Sequence, residues 1–438
     1  MLKIVTNSEF STIPTPRPAQ GTAYLLADPT TGHSIDLQPR YLVLPRASKL
    51  VHVKLSKMSC AGVARLESAG CGGISSWRFS GEITMSTMYR YTLPVEQTNW
   101  KFDGKSETCF TWEYDDSRAA LLQLYDKGKK QQWDAAERID WSLDLDPENP
   151  MMLDDRVIPI FGTDVWNRMT GKERREVRHH LQASQISQFM HGEQGALIAT
   201  SKIVQTVPDL DSKFYAATQV MDEARHVEAY SRLLHEKFEL AYPITHGLSS
   251  LLEQGLSDRR WDMTYLTMQI LIEGLALAAF QRIRDQSKNP LAAAVNAYVM
   301  QDEARHVAFG RIALRDYYPQ LSDAERSERE EFVVDACWHM RDRFNQLEVW
   351  QRLGLPVEEC LRLVDQSEAM NLFRSRIFSR IVPTVRDIGL WGPRVQQAFA
   401  AMGAIEFATV DAAALLDNDA RVADEFDARL RVRDAMPH

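Results

Sequence analysis

From residue 170 onward, apolar residues recur every three to four positions, which is the spacing of an amphipathic helix. Thr170 and Ser322 each begin a stretch of capping-box form, with a glutamate three residues later. Asn289 precedes Pro290, which places an N-cap before a proline at the first helical position. The pattern predicts long helices over residues 171–206, 209–239, 260–287, 290–318 and 322–352, then shorter helices punctuated by Pro356, Pro383 and Pro393.

The first part of the chain has a different pattern. Residues 1–115 are rich in Gly, Ser, Thr and Pro, and contain β-leaning runs at 42–44, 51–53 and 85–93. Helical patterning begins near Ser117. We therefore expect a mainly α protein with three parts: a β-rich N-terminal domain or extension at 1–115, a helical bundle at 116–352, and C-terminal helices packed on the bundle at 353–438.

Composition and charge exclude several classes of function. The formal net charge of -9 argues against nucleic acid as the main partner, because a phosphate-binding surface needs a basic excess. The longest apolar stretch, around residues 275–280, is interrupted by Glu273 and Arg282, so we expect no membrane span. The N-terminus lacks the apolar run of a secretory signal, and the 5 cysteines include no Cys-x-x-Cys pair. These features predict a cytoplasmic protein.

Two segments of the helical region echo each other. The sequence Asp-Glu-Ala-Arg-His occurs at 222–226 and again at 302–306, 80 positions later. Another glutamate stands 30 positions before the glutamate of each copy, Glu193 in the first case and Glu273 in the second. Because the upstream glutamate repeats at the same offset, a chance duplication of the short motif does not explain the pattern.

The spacing within each copy suits metal binding. Positions i and i+3 lie on one face of a helix, so Glu223 and His226 can reach one metal ion, and so can Glu303 and His306. A buried salt-bridge network would explain one copy of the motif. It would give no reason for the second copy or for the upstream glutamates.

The upstream glutamates complete a ligand set. Glu193 and Glu273 each stand mid-helix among apolar residues, where a carboxylate must be paired, protonated or bound to metal. Four carboxylates and two imidazoles suit a pair of iron or manganese ions better than a closed structural zinc site. We predict that one ion is held by Glu193, Glu223 and His226 and the other by Glu273, Glu303 and His306, with one or two glutamates bridging.

The residues beside the ligands are suited to support them. A metal-bound imidazole usually donates its other N–H to a carboxylate, and an aspartate precedes the ligand glutamate in each copy. The predicted crosswise pairs are Asp302 with His226 and Asp222 with His306, with Arg225 and Arg305 balancing the two acids.

This ligand pattern, over roughly residues 185–315, resembles the ferritin-like di-iron oxygenase superfamily. The superfamily includes the hydroxylase subunits of multicomponent monooxygenases, ribonucleotide reductase small subunits, acyl-carrier-protein desaturases and arylamine N-oxygenases. The duplicated Asp-Glu-x-Arg-His form looks most like the multicomponent monooxygenases, while residues 124–141 are similar to lead-in helices near the N-oxygenases. The resemblance implies a ferritin-like four-helix bundle, two iron ions or manganese in their place, and O2 as co-substrate.

Three positions bear on which members the chain is most like. Arylamine N-oxygenases have a third histidine four positions before the last ligand glutamate, where this chain has Val299. Multicomponent hydroxylases often carry a threonine one turn after the third carboxylate, where this chain has Leu277. Ribonucleotide reductase small subunits place their radical tyrosine four positions after the first ligand histidine, where this chain has Tyr230. Tyr230 is therefore a candidate catalytic residue, with core packing as the alternative.

Helical offsets around the ligands predict which side chains face a substrate. Most are apolar, which suits an organic substrate and excludes water, although any packed bundle has such a stripe. Trp133 and Trp141 are candidates for an electron path, with ordinary packing as the alternative, and His179, His180 and His191 match no ligand spacing. The predicted pocket residues are Met190, Leu197, Gln269, Ile270, Leu277 and Val299.

Together these features predict an O2-dependent di-iron oxygenase that hydroxylates carbon in a small or carrier-bound organic substrate. Oxidation of an amine is the closest variant. A radical-generating subunit and an iron-storage or scaffold protein are the alternatives, and the additional N- and C-terminal regions fit a compact storage cage poorly. Because the chain carries no flavin or dinucleotide motif, we expect a separate reductase or ferredoxin as electron donor. The resemblance is also compatible with a homodimer, which is common in the superfamily.

Overall fold

In the computed structural model the chain divides into two units, Met1–Ser86 and Thr87–His438. The first contains an antiparallel sheet in the order β1-β2-β3, formed by β1 (Arg40–Leu42), β2 (Val51–Ser56) and β3 (Arg65–Ser68). β2 begins at the predicted run 51–53, whereas the predicted run 85–93 lies outside the described residues. The structure describes residues 40–42, 51–56, 65–68, 101–104, 106–112, 114 and 118–434.

The second unit is helical, and the predicted helical bundle is confirmed. The helices up to the second motif copy are α1 (Ala119–Lys130), α2 (Ala135–Arg138), α3 (Asp164–Arg168), α4 (Gly171–Thr206), α5 (Leu210–Arg232), α6 (His246–Ser257), α7 (Trp261–Tyr265), α8 (Glu273–Gln286) and α9 (Pro290–Tyr317). The later helices are α10 (Asp323–Asp342), α11 (Leu347–Arg352), α12 (Val357–Gln366), α13 (Glu368–Arg376), α14 (Ile381–Asp387), α15 (Pro393–Ala401) and α16 (Ala412–Asp434).

Within residues 118–434, two π-helical segments interrupt the α-helical pattern. Leu233–Phe238 continues α5, and Leu266–Ile272 joins α7 to α8, so each predicted helix in this region is longer than any one regular element. Such segments are frequent at functional sites. The second of them ends immediately before Glu273, the first residue of α8.

The predicted capping boxes are confirmed at the starts of α4 and α10. Thr170 Oγ1 accepts the backbone N–H of Glu173 at 3.3 Å, while the Glu173 carboxylate accepts the backbone N–H of Thr170 at 2.7 Å. The same reciprocal pair joins Ser322 and Glu325. Because two otherwise unpaired backbone donors are satisfied at each start, the positions of both long helices are well determined by sequence.

One predicted helix is divided in two. The expected helix over 322–352 ends at Asp342 and resumes at Leu347, because Gln346 adopts a left-handed backbone conformation with φ 59°. Two hydrogen bonds accepted by Asn345 stabilise this turn. Its carbonyl accepts Trp350 Nε1–H at 2.8 Å, and its side-chain oxygen accepts the N–H of Leu347 at 3.1 Å. Helix α6 has no counterpart among the predicted helices.

The bundle is built from α4 packed along α5 and from α8 packed along α9, with α16 lying against α9. Buried apolar side chains from these helices form its core. Gly310 on α9 allows a close helix approach, since a Cβ atom there would lie 2.4 Å from Cβ of Gln269. The proposed division at 352/353 between the bundle and the C-terminal helices stays a prediction.

The helical stretch Trp261–Gln286 is long and apolar enough to cross a membrane by length and composition. The sequence expectation missed this because α7, the π-helical segment and α8 run on continuously. Most of the stretch is buried inside the protein, where it packs against α9 and α14. Its apolar character therefore belongs to the centre of the bundle.

Candidate metal centre

Four helices bring the six predicted ligands together. Glu193 comes from the middle of α4 and Glu273 from the start of α8. The i, i+3 pairs come from α5, with Glu223 and His226, and from α9, with Glu303 and His306. All six side chains are buried.

The two glutamates of the repeated motif lie between the histidines. Glu303 Oε1 is 3.2 Å from His226 Nδ1 and 3.3 Å from His306 Nδ1. Glu223 faces His306 Nδ1 with Oε1 at 3.1 Å and His226 Nδ1 with Oε2 at 3.5 Å. Glu193 Oε2 lies 3.2 Å from His226 Nδ1 only. The geometry suits Glu223 and Glu303 as bridging carboxylates and Glu193 as a ligand on one side.

The donor atoms form two groups that share a glutamate. Within each group, atoms from every member lie within 4.8 Å of one another. One group contains Glu193, Glu223, His226 and Glu303, and the other contains Glu223, Glu273 and His306. Two adjacent ions with a common carboxylate are the arrangement that such overlapping groups can hold.

The donor atoms themselves show that a metal pair fits here. Within the described part of the chain, no hydrogen-bond partner reaches Glu223 Oε2, Glu273 Oε2, either oxygen of Glu303 or His306 Nδ1. Unpaired buried polar atoms are costly, and here they face one another across a small space. Oxygen-rich donors with two imidazoles suit iron or manganese. The cluster can therefore bind two metal ions.

A second layer of charged residues supports the histidines in the crosswise arrangement. His226 Nε2 is 3.1 Å from Asp302 Oδ2, and His306 Nε2 is 3.2 Å from Asp222 Oδ2. Each histidine thus keeps Nδ1 for the cluster and gives Nε2 to an aspartate, which fixes the ring orientation. Asp302 also accepts the Trp133 Nε1–H at 2.8 Å.

Two arginines tie the aspartates to each other. Arg225 Nη2 is 2.5 Å from Asp222 and 2.9 Å from Asp302, and Arg305 Nη2 is 3.2 Å from Asp222 and 2.5 Å from Asp302. All four side chains are buried. The two arginines balance the charge of the two aspartates, as the sequence analysis predicted.

Several supporting residues were missed by the sequence reasoning. Gln219 donates from Nε2 to Glu223 and to Glu273, both at 2.9 Å. Gln132 on the α1–α2 connection donates to Asp222 at 2.7 Å and accepts from Arg225 at 2.8 Å. Gln219 had a usable signal, since it stands one turn before Glu223 on the same helix face. Gln132 had none, because its contact depends on how α1 packs against α5.

The pKa values of the cluster residues are those of a site that binds cations. Burial, together with the negative charge of Glu303, raises the pKa of Glu193 well above its usual value, and the same two causes raise that of Glu273. Burial alone would lower the pKa of His226, but hydrogen bonds with Asp302 and Glu193 and the nearby carboxylates of Glu223 and Glu303 raise it. Without metal, the site must therefore hold protons in place of cations.

We expect the metal-free protein to lose thermal stability as the pH rises from about 5 to about 9. Glu193 and Glu273 keep protons in the folded state where the unfolded chain has lost them, because their pKa is raised on folding. His226 and His306, whose pKa is also raised, act in the same direction above about pH 6.5. The folded state thus binds more protons than the unfolded state, and its stability falls with pH. Thermal unfolding in the presence of a chelator measures this.

The control is a double variant with Glu193→Gln and Glu273→Gln, which should show a flatter pH profile. The carboxylates whose pKa is lowered, such as Glu223, act only below about pH 4.5 and do not reverse the trend. A metal-free wild-type protein that becomes more stable between these pH values would contradict the expectation.

Tyr230 packs against Phe189 and Phe280, which line the cavity, but does not line the cavity itself. Its hydroxyl donates to Asn296 Oδ1 at 3.1 Å. Burial, with the negative charge of Glu193, raises the pKa of the phenol well above its usual value. A catalytic role for Tyr230 stays a prediction.

The other singled-out residues lie outside the cluster. His179 and His191 hydrogen-bond to the carbonyls of Phe238 and Tyr242, and His180 pairs with the Tyr242 hydroxyl. Trp141 donates to the Ala135 carbonyl at 2.7 Å. The histidine contacts belong to packing between α4 and the segment after α5, whereas the Trp141 contact joins α2 to the residues that follow it.

A cavity of about 140 Å³ reaches the cluster at Glu193, Glu273 and Glu303. The residues one before and three after each upstream glutamate line the cavity. They are Gly192 and Ala196 beside Glu193, and Ile272 and Ala276 beside Glu273. A volume near 150 Å³ is enough to hold a benzene ring in a protein interior. The cavity can therefore take a substrate of about one aromatic ring.

The pocket residues expected from helical offsets lie elsewhere. None of the six contributes to the described lining of this cavity. At about 100° per residue, the positions three before and four after the glutamate point about a third of a turn or more away from the cavity face. Gln269, four before Glu273, lies in the π-helical segment, where this spacing does not hold. Four of the six positions are buried elsewhere, namely Gln269, Ile270, Leu277 and Val299, and two are half-buried, namely Met190 and Leu197.

Comparison with known proteins shows that the chain matches a protein family. A family model described as "P-aminobenzoate N-oxygenase AurF" matches residues 114–389, which is more than half of the chain. No curated protein sequence matches.

Among solved structures, a variant of an R2-like ligand-binding oxidase with a Mn/Fe cofactor is similar, with 16% identity and a TM-score of 0.40 over 62% of this chain and 94% of that one. A second variant with an Fe/Fe cofactor has 16% identity and a TM-score of 0.41 over the same shares. These likenesses are too distant to support a conclusion about function.

Proposed function

The chain belongs to the family of the p-aminobenzoate N-oxygenase AurF, and from that membership we propose that it inserts oxygen from O2 into a small or carrier-bound organic substrate, with hydroxylation of carbon as the first candidate reaction. It is an oxidoreductase of the O2-activating di-iron type. The observation that carries the proposal is the buried cluster of four glutamates and two histidines, several of whose donor atoms have no hydrogen-bond partner in the described chain.

The residues have distinct roles in this proposal. Glu193 and His226 would hold one ion and Glu273 and His306 the other, while Glu223 and Glu303 would bridge them. When bound, two ferrous ions would supply the electrons and open coordination positions that O2 reduction requires. Asp222 and Asp302 would keep the imidazoles oriented, and the apolar cavity wall would position the substrate and exclude water.

The reaction needs an external source of electrons. Oxygen insertion uses one O2, two electrons and two protons, with one oxygen atom entering the substrate and the other leaving as water. The chain has no flavin or dinucleotide motif, so a separate reductase or ferredoxin would supply the electrons. A homodimer and a cytoplasmic location also belong to the proposal.

Oxidation of an amine nitrogen is the second candidate, and the family match favours it. The chain departs from the N-oxygenase pattern at Val299, a buried apolar residue where arylamine N-oxygenases have a third histidine. With that position apolar, the cluster has two histidines instead of three. We therefore keep carbon hydroxylation first.

The test starts from metal-free protein loaded anaerobically with ferrous iron. We expect about two irons per chain by elemental analysis, and O2 uptake with a transient visible absorption when the loaded protein is mixed with O2. Products from 4-aminobenzoate with a chemical reductant then separate the candidates. A hydroxylamine or nitro product indicates N-oxidation, whereas a ring-hydroxylated amine indicates attack at carbon. Two bound metals with no reaction toward O2 would contradict the proposal.

A further inference from the structure

The cavity that reaches the metal cluster also carries positive charge, at a distance from the cluster. Arg282 on α8 and Arg343 in the turn after α10 line the same cavity as Glu193 and Glu273. Arg282 follows Glu273 by nine residues, which is a rise of about 13 Å along a helix. The cavity thus runs from a cluster of carboxylates toward a pair of guanidinium groups.

One pair of aromatic rings holds both arginines. The Arg282 guanidinium carbon is 4.9 Å from the ring centroid of Phe373, and that of Arg343 is 5.0 Å from the ring centroid of Phe344. The two rings meet edge to face with centroids 5.1 Å apart. The two arginines therefore stack on rings that contact each other, and both line the same cavity.

Neither arginine has an acidic partner among the described residues. Arg343 Nη1 is buried with no hydrogen-bond partner, and burial alone lowers the pKa of each guanidinium to about 10. Arg178, which lines the same cavity, is different, because it forms two hydrogen bonds of 2.7 Å with Asp155. Glu348 also lines the cavity, but burial alone shifts the pKa of Arg282 and Arg343, with no contribution from the charge of Glu348. The two charges are therefore uncompensated by the fold described.

The turn that carries Arg343 is held in a strained conformation. Gln346, which lines the cavity, has a left-handed backbone with φ 59°, and hydrogen bonds at Asn345 fix the turn. Strained backbone of this kind clusters at ligand-binding sites, where the surrounding structure holds it in place. The turn thus places a strained residue, Gln346, and a buried donor without a hydrogen-bond partner, on Arg343, at the same wall of the cavity.

We propose that Arg282 and Arg343 bind a carboxylate on the substrate, while the body of the substrate occupies the apolar space next to the metal cluster. A guanidinium with a buried donor and no acceptor is costly, and a carboxylate matches its fork of donors. The cavity volume sets the body at about one aromatic ring. The spacing along α8 calls for an arm between ring and carboxylate, and the arm would extend beyond the ring-sized space to Arg282 and Arg343, which are partly exposed to solvent. This inference rests on the proposed function and names its substrate class: a small aromatic compound with a carboxylate-bearing arm.

The test compares two ligands that differ only in charge. Binding of 4-(4-aminophenyl)butanoate and of 4-(4-aminophenyl)butanamide to the metal-loaded full chain is measured by titration calorimetry. We expect the carboxylate to bind at least about 10-fold more tightly than the amide, since charge-assisted bidentate hydrogen bonds are the strong ones. Equal binding of the two ligands would overturn the inference.

Single substitutions locate the effect. Arg282→Gln and Arg343→Gln should each weaken carboxylate binding by about 10- to 100-fold and leave amide binding unchanged. The matched control is Arg362→Gln, which removes an exposed arginine from α12 outside the cavity lining and should bind the carboxylate as the wild type does. Carboxylate binding that survives both cavity substitutions would overturn the inference.

Two further measurements keep the outcome interpretable. Arg282→Lys and Arg343→Lys retain the charge without the fork, so they should keep the preference for the carboxylate at reduced strength, and loss of the charge effect in folded lysine variants would count against the site. O2 uptake by ligand-free, iron-loaded wild type is measured in parallel. Failure of O2 uptake alone would count against the proposed function, whereas the binding results decide the arginine site.

Discussion

Replacing Glu303 with alanine is expected to remove both metal ions, whereas Glu193→Ala should remove one. Glu303 Oε1 lies 3.2 Å from His226 Nδ1 and 3.3 Å from His306 Nδ1, while Glu193 faces only His226. Loss of a supporting residue costs about 10- to 100-fold in metal affinity, so loss of a bridging ligand should cost at least about 100-fold. Elemental analysis after ferrous loading and desalting would give the metal content, and O2 uptake should disappear in Glu303→Ala.

A matched control distinguishes loss of a metal ligand from the general effect of removing a carboxylate from a helix. Glu228→Gln removes an exposed carboxylate from α5, the helix of Glu223, and should leave two metals per chain. Far-UV circular dichroism of metal-free Glu303→Ala should show the helical content of the wild type, which separates loss of a ligand from loss of the fold. A folded Glu303→Ala protein that still retains two tightly bound metals would contradict Glu303 as the bridge.

The short-range geometry of the cluster could be predicted because helix periodicity determines it. Glu223 and His226 must share a face of α5 at a spacing of three residues, whatever the rest of the fold does. The crosswise contacts of Asp222 and Asp302 follow from the same cause, since each aspartate directly precedes a glutamate of the cluster. Once two identical motifs face each other, the aspartate of one lies near the histidine of the other.

The cavity could not be predicted in the same way, because its position depends on packing between distant segments. Helical offsets gave candidate positions on α4 and near α8 but not the side on which a space remains. The π-helical segment Leu266–Ile272 also changes the helical phase directly before Glu273. Arg343 shows the limit most clearly. The pattern predicted an unbroken helix through 322–352, whereas the left-handed Gln346 breaks it and places Arg343 in a turn at the cavity wall.

The buried charges beneath the cluster form a network centred on Asp302. Its carboxylate contacts His226 at 3.1 Å, Trp133 at 2.8 Å, Arg225 at 2.9 Å and Arg305 at 2.5 Å. The neighbouring positive charges of Arg305 and Arg225 and the hydrogen bond from His226 overcome the effect of burial and hold the pKa of Asp302 well below its usual value. Asp302 is therefore charged at neutral pH, and its charge compensates two buried arginines.

Replacing Asp302 with asparagine should consequently lower both stability and metal affinity. Removing one partner from a buried ion-pair network costs about 3–5 kcal/mol, and we expect the lower end because Asp222 still contacts both arginines. Urea unfolding of the metal-free protein measures this loss, and ferrous-iron titration should show an affinity about 10- to 100-fold weaker. Asp335→Asn, at an exposed position of α10, is the control for loss of one carboxylate. If Asp302→Asn loses metal affinity but no stability, Asp302 acts only by orienting His226. If it loses stability but not affinity, the histidine is oriented by the cluster itself.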